Sequence, residues 1–325
     1  MDDTRHNGMT ASVAVVGCGH WGKNIVRNVA ELGALMAVSD ANVTLAEKFG
    51  AEYAVKALSW PEVLADPSVK GVMLASPAHL HAAMALEALA AGKHVYVEKP
   101  LALNLSDAQA VIDAANNAGL VLMVGHLLQY HPAFQKVKAM VRGGEIGRLR
   151  YITSHRMSLG KLRTEEDVLW SFSPHDISMI LALAGEMPNK VEGRGGAFLQ
   201  PLWDFSDLYL SFPSGAVARA TASWLHPFKE HKLVVVGETG MLVFDDTKGW
   251  EAKVTLYRHQ ARIEDGIPHV QKADAEPIEL EQAEPLKEEC RHFIDCIADG
   301  GRPLTDGREA IAVLEVLMKG SNNDE

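Results

Sequence analysis

In the first part of the chain, short runs of hydrophobic residues take turns with longer segments in which hydrophobic and polar positions follow helical spacing. The run Ser12–Val16 is almost continuously apolar and ends at a glycine, which is typical of a strand buried on both faces of a parallel sheet. Similar runs recur at Ala34–Val38, Gly71–Ala75, His94–Val97 and Leu120–Val124. Strands that alternate with helices in this way predict a doubly wound parallel sheet of the Rossmann type, and we place this domain at residues 1–125.

The pattern changes in residues 126–325, where the strands alternate between apolar and polar positions and are separated by turn signals. This second domain is predicted to be α+β, with a large, mostly antiparallel sheet and helices on one face. The charged, proline-containing residues 259–284 are interpreted as a loop, and the segment Pro174–Ala184 as a helix. The predicted strands are Arg148–His155, Asp207–Phe212, Ala216–Trp224, Lys232–Val236 and Met241–Phe244, and two helices, Pro285–Ala298 and Asp306–Met318, close the chain.

Composition narrows the class of protein further. The 325 residues include 31 Lys and Arg against 42 Asp and Glu, a net charge of −11, which argues against nucleic acid and against an anionic membrane surface as partners. No apolar run approaches the roughly 18 residues that would span a bilayer. Met1–Thr4 does not begin a signal peptide, and three cysteines indicate a reducing compartment. We therefore expect a cytoplasmic enzyme of two domains.

The loop Gly17–Gly22 has the pattern G-x-G-x-x-G between a buried strand and a helix, which is the context of a dinucleotide site. The first glycine would make the turn, the second would let the backbone approach a pyrophosphate, and the third would let helix and strand pack closely. Asp40 ends the second strand, where a carboxylate can accept hydrogen bonds from the ribose and would repel a 2′-phosphate, so NAD is favoured over NADP. The residues assigned to the cofactor here are Gly17, Gly19, His20, Trp21, Gly22 and Asp40.

Two further segments follow predicted strands of the same sheet and are assigned to the cofactor as well. Ser76 and Pro77 follow one strand, and His81 lies at the start of the next helix. Glu98-Lys99-Pro100 follows another strand, so Lys99 would be directed towards the cofactor crevice at the carboxyl edge of the sheet.

No metal site is expected. His79 and His81 are two residues apart on a helix and point to different sides. In Cys290-x-His292-x-x-x-Cys296 the first two side chains are about 200° apart around a helix, so too few ligands share a face.

With the glycine loop, Asp40, His81 and Glu98-Lys99-Pro100 in this order, the chain resembles the Gfo/Idh/MocA (glucose-fructose oxidoreductase) family. The resemblance implies that Lys99 is catalytic. It also implies a histidine from a pattern Asp-x-Gly-x-His-x-x-Asp, to which His175 corresponds, although Ser171 and Ser178 replace the two aspartates. His175 is the expected base, because imidazole can take a hydroxyl proton near neutral pH.

Within the family, the chain looks closest to UDP-N-acetylglucosamine 3-dehydrogenases, which form a 3-keto sugar nucleotide for a PLP-dependent aminotransferase in surface-glycan biosynthesis. Arg156, Lys161, Arg163 and Lys229 would be enough cations for a diphosphate. The expected substrate-binding residues are Lys99, Gln129, Tyr130, His131, Arg156, Arg163, Trp170, His175 and Lys229. The alternatives are an NAD-dependent free-sugar or inositol dehydrogenase and a non-catalytic regulator that senses a dinucleotide.

Assembly is the last expectation from the sequence. The strands around Ala216–Ala218 and Leu233–Val236 carry apolar residues on both faces, and helices can cover only one face of their sheet. The resemblance implies dimers that pair through this sheet. We expect a homotetramer with twofold axes.

Overall fold

A computed structural model describes residues 12–160 and 162–321. In chain order its elements are β1 (Val13–Val16), α1 (Gly22–Glu31), β2 (Leu35–Ser39), α2 (Val43–Tyr53), β3 (Lys56–Ala57), α3 (Trp60–Ala65), β4 (Gly71–Leu74), α4 (His81–Ala90), β5 (His94–Glu98), α5 (Leu105–Ala118), β6 (Leu122–Gly125), α6 (Pro132–Arg142), β7 (Leu149–Met157), α7 (Val168–Ala184), β8 (Lys190–Gly196), β9 (Phe205–Ser211), β10 (Val217–Ser223), β11 (Glu230–Gly237), β12 (Met241–Asp245), β13 (Val254–Tyr257), β14 (Gln260–Glu264), β15 (Ile267–Gln271), β16 (Ala275–Pro277), α8 (Pro285–Asp299) and α9 (Gly307–Ser321). Among these described residues, no helix is both long enough and apolar enough to cross a membrane.

The chain divides into two compact units. The first holds the described residues up to Leu127 together with Glu284–Ile311, and the second holds Leu128–Ala283 and the described residues from Ala312 onwards. The division thus differs from the one expected at residues 125 and 126, because helix α8 belongs to the first unit. Its Phe293 packs against Tyr96 of β5, with 5.9 Å between the ring centroids.

The described strands of the first unit form a parallel sheet in the order β3-β2-β1-β4-β5-β6. This is the predicted doubly wound Rossmann topology, and its strand order reverses between β1 and β4. The central strands are fully buried, as Val13–Val16 illustrates. Because the strands are parallel, the segments that follow β1, β4 and β5 meet at one edge of the sheet.

The second unit contains, within its described residues, a larger sheet in the order β16-β13-β12-β11-β7-β10-β9-β8. The β7–β10 pair is parallel and its neighbours are antiparallel, so the predicted mostly antiparallel α+β sheet is confirmed. Alternate residues differ sharply in exposure: Ile152 is buried in the core that also contains Phe134 of α6 and Ile177 of α7, whereas Tyr151 is 43% exposed.

Two local predictions were wrong. Residues 259–284 are not simply a loop, because β14 and β15 pair as a hairpin and β16 joins the large sheet. The hairpin turns at Asp265-Gly266, both with positive φ, a turn signal that the polar composition of the segment obscured. Helix α7 begins at Val168 instead of Pro174, since the side chain of Asp167 caps it by accepting a hydrogen bond from the Trp170 amide.

Candidate active site

In the glycine loop after β1, two of the three glycines are tightly packed and the third faces open space. Gly17 has φ +92°, and a Cβ there would lie 2.6 Å from the carbonyl oxygen of Ala75. A Cβ on Gly22 would lie 1.7 Å from the Gly17 carbonyl oxygen, so this position needs glycine for helix and loop to pack. A Cβ on Gly19 would meet nothing within 4 Å. The open space at Gly19 and the start of α1 fit the approach of a pyrophosphate.

Asp40 is held by backbone amides at the end of β2. Its Oδ2 accepts a hydrogen bond from the Cys18 amide at 2.7 Å, and its Oδ1 accepts one from the Asn42 amide at 2.8 Å. Each oxygen keeps a lone pair, so the fixed carboxylate can still accept a hydrogen bond from a ribose hydroxyl. Burial, together with the charge of Asp40, raises the pKa of the Cys18 thiol to about 12, so this thiol is a packing group.

His81 connects the segments that follow β4 and β5. The imidazole is 1% exposed, and its Nδ1 lies 2.7 Å from the carbonyl oxygen of Pro100 while Nε2 lies 2.8 Å from that of Ser76. It therefore fixes the backbone on either side of the crossover from β4 to β5. Lys99, which precedes Pro100, is partly buried in this braced segment.

Glu98 links the end of β5 to the glycine loop. Its Oε1 accepts a hydrogen bond from Trp21 Nε1 at 2.6 Å and one from the hydroxyl of Tyr96 at 2.9 Å. Burial raises the pKa of Glu98, and these two hydrogen bonds oppose that rise. The structure thus brings Trp21 and Glu98 together within the first unit. Among the assigned cofactor residues, Gly19, His20, Trp21 and Pro77 are exposed.

His175 lies in the second turn of α7 and is partly buried, between buried Pro174 and Asp176. The neighbouring Asp176 carboxylate accepts hydrogen bonds from Arg156 Nε at 2.8 Å and from the Ser154 hydroxyl at 2.6 Å. Arg156 is only 9% exposed. Its guanidinium therefore belongs to a buried ion pair, and its expected contact with a diphosphate has to compete with that pair.

His231 joins this ion pair and was not singled out from the sequence. Its Nδ1 lies 3.4 Å from Arg156 Nη1, because the two residues are cross-strand partners on β7 and β11. Burial and the positive charges of Arg156 and Lys229 together lower the pKa of His231 to about 4. A neutral His231 can accept the hydrogen bond from Arg156. His231 could have been recognised as a partner of Arg156 only from the register of β7 and β11, which a single sequence does not reveal.

The polar atoms of Gln129 and His131 are occupied by protein partners. Gln129 is 2% exposed, and its Nε2 donates to the carbonyl oxygen and to the hydroxyl of Ser178, both at 2.9 Å. His131 Nδ1 accepts a hydrogen bond from the Ala133 amide, and its Nε2 lies 3.3 Å from Asp246 Oδ1. These side chains order the start of α6 and the end of β12.

The remaining substrate candidates differ in exposure. Tyr130 is buried, and Trp170 is half-buried with its Nε1 donating to the Ser321 hydroxyl at 3.0 Å. Arg163 is exposed and lies 3.3 Å from a carboxylate oxygen of Glu166. Lys229 is also exposed, and Lys161 lies outside the described residues.

Comparison with known proteins places this chain among oxidoreductases. A UDP-N-acetylglucosamine 3-dehydrogenase from Acidithiobacillus ferrooxidans is 28% identical over 94% of each chain. The NAD(+)-dependent scyllo-inositol 2-dehydrogenase of Bacillus subtilis is 27% identical over 95% of this chain and 93% of its own. The solved structure of the Acidithiobacillus enzyme GnnA has a TM-score of 0.84 at 28% identity, over 95% of both chains.

The two units each match a domain of one family. Residues 11–126 match the oxidoreductase family with an NAD-binding Rossmann fold (GFO_IDH_MocA), and residues 134–243 match the GFO/IDH/MocA C-terminal domain. Together with the geometry of the glycine loop and Asp40, these matches also identify the cofactor as NAD. The chain belongs to the Gfo/Idh/MocA family of NAD-dependent oxidoreductases.

Proposed function

We propose that this protein oxidises a secondary hydroxyl of a sugar nucleotide, and specifically that it converts UDP-N-acetylglucosamine to its 3-keto derivative. The observation that carries the proposal is the likeness to the Acidithiobacillus UDP-N-acetylglucosamine 3-dehydrogenase, which extends over 94% of both sequences. The exposed cations Arg163 and Lys229 support a substrate that carries a diphosphate. The chain is about equally similar to an inositol dehydrogenase, which supports a second candidate function, the oxidation of a polyol that has no phosphate.

In the proposed reaction the substrate hydroxyl loses its proton to the protein, and the carbon that bears this hydroxyl loses a hydride. NAD, when bound, supplies the acceptor for the hydride. His175 accepts the hydroxyl proton, a role suited to an imidazole at neutral pH. Lys99 donates a hydrogen bond to the same oxygen and stabilises the negative charge that develops on it. Proton transfer and charge stabilisation are thereby assigned to different side chains.

The chemistry of the product supports a place before an amino-transfer step. A 3-keto sugar nucleotide is a substrate for a PLP-dependent aminotransferase, which would supply a 3-amino sugar for lipid A or another surface glycan. We place this activity in the cytoplasm and propose a homotetramer that pairs through the open face of the large sheet, where Tyr151, Tyr209 and Val217 are exposed. Light scattering that gives about the mass of one 35.3 kDa chain would contradict the oligomer.

The substrate is tested by following absorbance at 340 nm with NAD and matched substrates. The panel contains UDP-N-acetylglucosamine, UDP-glucose, free N-acetylglucosamine and scyllo- and myo-inositol, with a coupled aminotransferase to remove the product. We expect turnover of UDP-N-acetylglucosamine; when the aminotransferase is left out, the product should be two hydrogens lighter than the substrate, with the ketone at C3 by NMR. Turnover of inositols alone would favour the second candidate, and NAD binding without any turnover would indicate the dinucleotide-sensing regulator.

The two candidates also differ in how they depend on Arg163 and Lys229. For a sugar nucleotide, Arg163→Gln and Lys229→Gln should each raise KM about tenfold, since each removes one charge-assisted contact to phosphate. For a polyol, neither change should alter KM.

A further inference from the structure

A series of hydrogen-bonded polar side chains runs through the first unit from buried Glu289 on helix α8 to exposed Trp21 in the glycine loop. Its centre is Tyr96, whose ring is fully buried on β5. The Tyr96 hydroxyl lies 2.9 Å from Glu98 Oε1 and 3.1 Å from Glu289 Oε2. Glu98 Oε1 also accepts the hydrogen bond from Trp21 Nε1. The side chain of Glu289 is thereby connected, through two hydrogen bonds, to the residue that precedes Lys99.

The Glu289–Tyr96–Glu98 series of hydrogen bonds can form only if it contains enough protons. A phenol has one hydrogen and can donate it to only one of the two carboxyl groups. If both glutamates were ionised, one carboxylate oxygen would face the phenol oxygen with no proton between them. Burial raises the pKa of Tyr96, so the phenol itself keeps its proton. One of the two glutamates must therefore carry the second proton.

The surroundings identify Glu289 as the neutral partner. Glu289 is 0% exposed, and its Oε1 has no hydrogen-bonding partner in the part of the chain that the structure describes. The charged and titratable groups that face it are Tyr96 and Glu98 of β5 and Glu309 of α9, with Cys290 next to it on α8. Burial and the nearby Glu98 charge raise the pKa of Glu289 well above its usual range.

Glu98 is in a different environment and is assigned as the ionised partner. It accepts hydrogen bonds from Trp21 and Tyr96, and the neighbouring Lys99 and His81 act to lower its pKa, which favours its ionised form. An ionised carboxylate with two donors and nearby cations is a stable arrangement even when partly buried.

The packing leaves this arrangement little freedom. A Cβ at Gly125 would lie 2.5 Å from the Tyr96 hydroxyl oxygen and 3.0 Å from Glu98 Oε2, so the absence of a side chain on β6 makes room for both groups. On the other side, the Phe293 ring contacts the Tyr96 ring. The phenol is thus held in one orientation between its two carboxyl partners.

We propose that Glu289 is a positioning residue that acts as a neutral acid: it donates to Tyr96, Tyr96 donates to Glu98, and the oriented Glu98 holds Trp21 of the glycine loop in place for NAD. The inference depends on NAD as cofactor, and it rests on the proposed function only where it extends to Lys99, which follows Glu98.

The first test compares the affinity for NADH of variants that differ in hydrogen-bonding capacity. Glu289→Gln keeps a neutral donor, so its affinity should stay within about twofold of wild type. Glu289→Leu and Tyr96→Phe each remove a hydrogen bond from the Glu289–Tyr96–Glu98 series. Each should weaken NADH binding about tenfold, the typical effect of losing a hydrogen bond linked to a charged group. The matched control is Glu288→Leu on the same helix, whose side chain pairs with Arg291 and which should bind NADH normally.

NADH binding needs no sugar, so these results are independent of the proposed substrate. A Glu289→Gln variant as weak as Glu289→Leu would overturn the proposal, because an ionised Glu289 predicts that result. A Glu289→Leu variant that binds NADH as tightly as wild type would overturn it as well, because a merely space-filling Glu289 predicts that result. If Glu289→Leu fails to fold, Tyr96→Phe replaces it in the comparison.

The second test is the pH dependence of unfolding for wild type and Glu289→Gln. Above about pH 4.5, the unfolded chain releases the Glu289 proton while the folded chain keeps it, so wild type loses stability as pH rises. The folding equilibrium of wild type should fall relative to Glu289→Gln by up to tenfold per pH unit between pH 5 and 8, seen as a widening difference in Tm. A Tm difference that does not change with pH would overturn the neutral-acid assignment.

Discussion

The two units differ in whether the residues predicted to bind a ligand are placed for that role or are already bonded to protein groups. In the first unit, Gly17 and Gly22 occupy positions that exclude a side chain, and Asp40 is oriented by two backbone amides. In the second unit, Gln129 and Arg156 were expected to contact substrate but have their polar atoms bound to protein groups. The cofactor motif works through backbone atoms and strand ends, whereas the substrate candidates are side chains whose partners come from distant strands.

The candidate residues of the second unit fall into two groups, those whose polar atoms are bonded to protein groups and those that are accessible. Arg156, Gln129 and His131 stabilise the unit, so changing them should lower stability before it alters substrate binding. His175, Arg163 and Lys229 are more accessible and are the residues whose changes should affect turnover or KM directly.

The largest effect is expected at Gly22. Gly22→Ala would place a methyl group 1.7 Å from the Gly17 carbonyl oxygen, so the loop must open and NADH binding should be lost. Gly19→Ala is the matched control for folding, because its methyl group enters open space and should leave Tm unchanged while weakening NADH. NADH titration and thermal unfolding measure both. Normal NADH affinity in Gly22→Ala would show that the loop geometry does not control binding.

The buried ion pair of the second unit should be the next most sensitive feature. Asp176→Asn leaves the Arg156 charge without a counter-charge and should lower the free energy of unfolding by about 3 kcal/mol. Arg148→Gln breaks an exposed ion pair with Glu238 and should cost less than about 1 kcal/mol. Denaturant unfolding measures both variants. If Asp176→Asn unfolds like wild type, the pair is not structural, and Arg156 returns to the list of substrate contacts.

Lys99 and His175 are the two residues to which the proposed chemistry is assigned. Lys99→Ala and His175→Ala should each lower kcat by about 10²-fold or more, the usual effect of removing an acid–base or oxyanion-stabilising group. NADH affinity should be preserved in His175→Ala, since His175 is not part of the Rossmann unit. Steady-state kinetics and NADH titration are the measurements. Near-normal turnover in either variant would remove that residue from the mechanism.

A smaller effect is expected for cofactor choice. Asp40→Ala removes a carboxylate that would face a 2′-phosphate, so the preference for NAD over NADP should fall by about tenfold or more. The ratio of kcat/KM for the two cofactors measures this. A wild-type enzyme that uses NADP as well as NAD would contradict the role assigned to Asp40.

The smallest effect concerns acid sensitivity. Because the pKa of His231 is lowered to about 4 in the folded chain, the unfolded chain binds an extra proton between about pH 6.5 and 4, and stability is lost as pH falls through that range. His231→Gln removes this contribution, so the stability of wild type should fall towards or below that of the variant at low pH. Unfolding curves at several pH values test this, and parallel pH profiles would contradict it.

By itself, the sequence determined the Rossmann topology, the NAD loop and the positions of Lys99 and His175 in the family motifs. These features are local, since an apolar run, a glycine turn and a helix start involve residues close together in the chain. Even the β14–β15 hairpin had a local signal in Asp265-Gly266, although its exposed polar strands concealed it.

Only the tertiary structure decided which polar groups are already committed to protein partners. Glu289 reaches Tyr96 across 193 residues, and Arg156 meets His231 across 75, through helix packing and strand register that no local pattern specifies. The placement of α8 in the first unit has the same origin, because its Phe293 packs against Tyr96 of β5, which is distant in the sequence. Burial then decides which carboxyl group keeps its proton, since the cost of an isolated charge depends on every element packed around it.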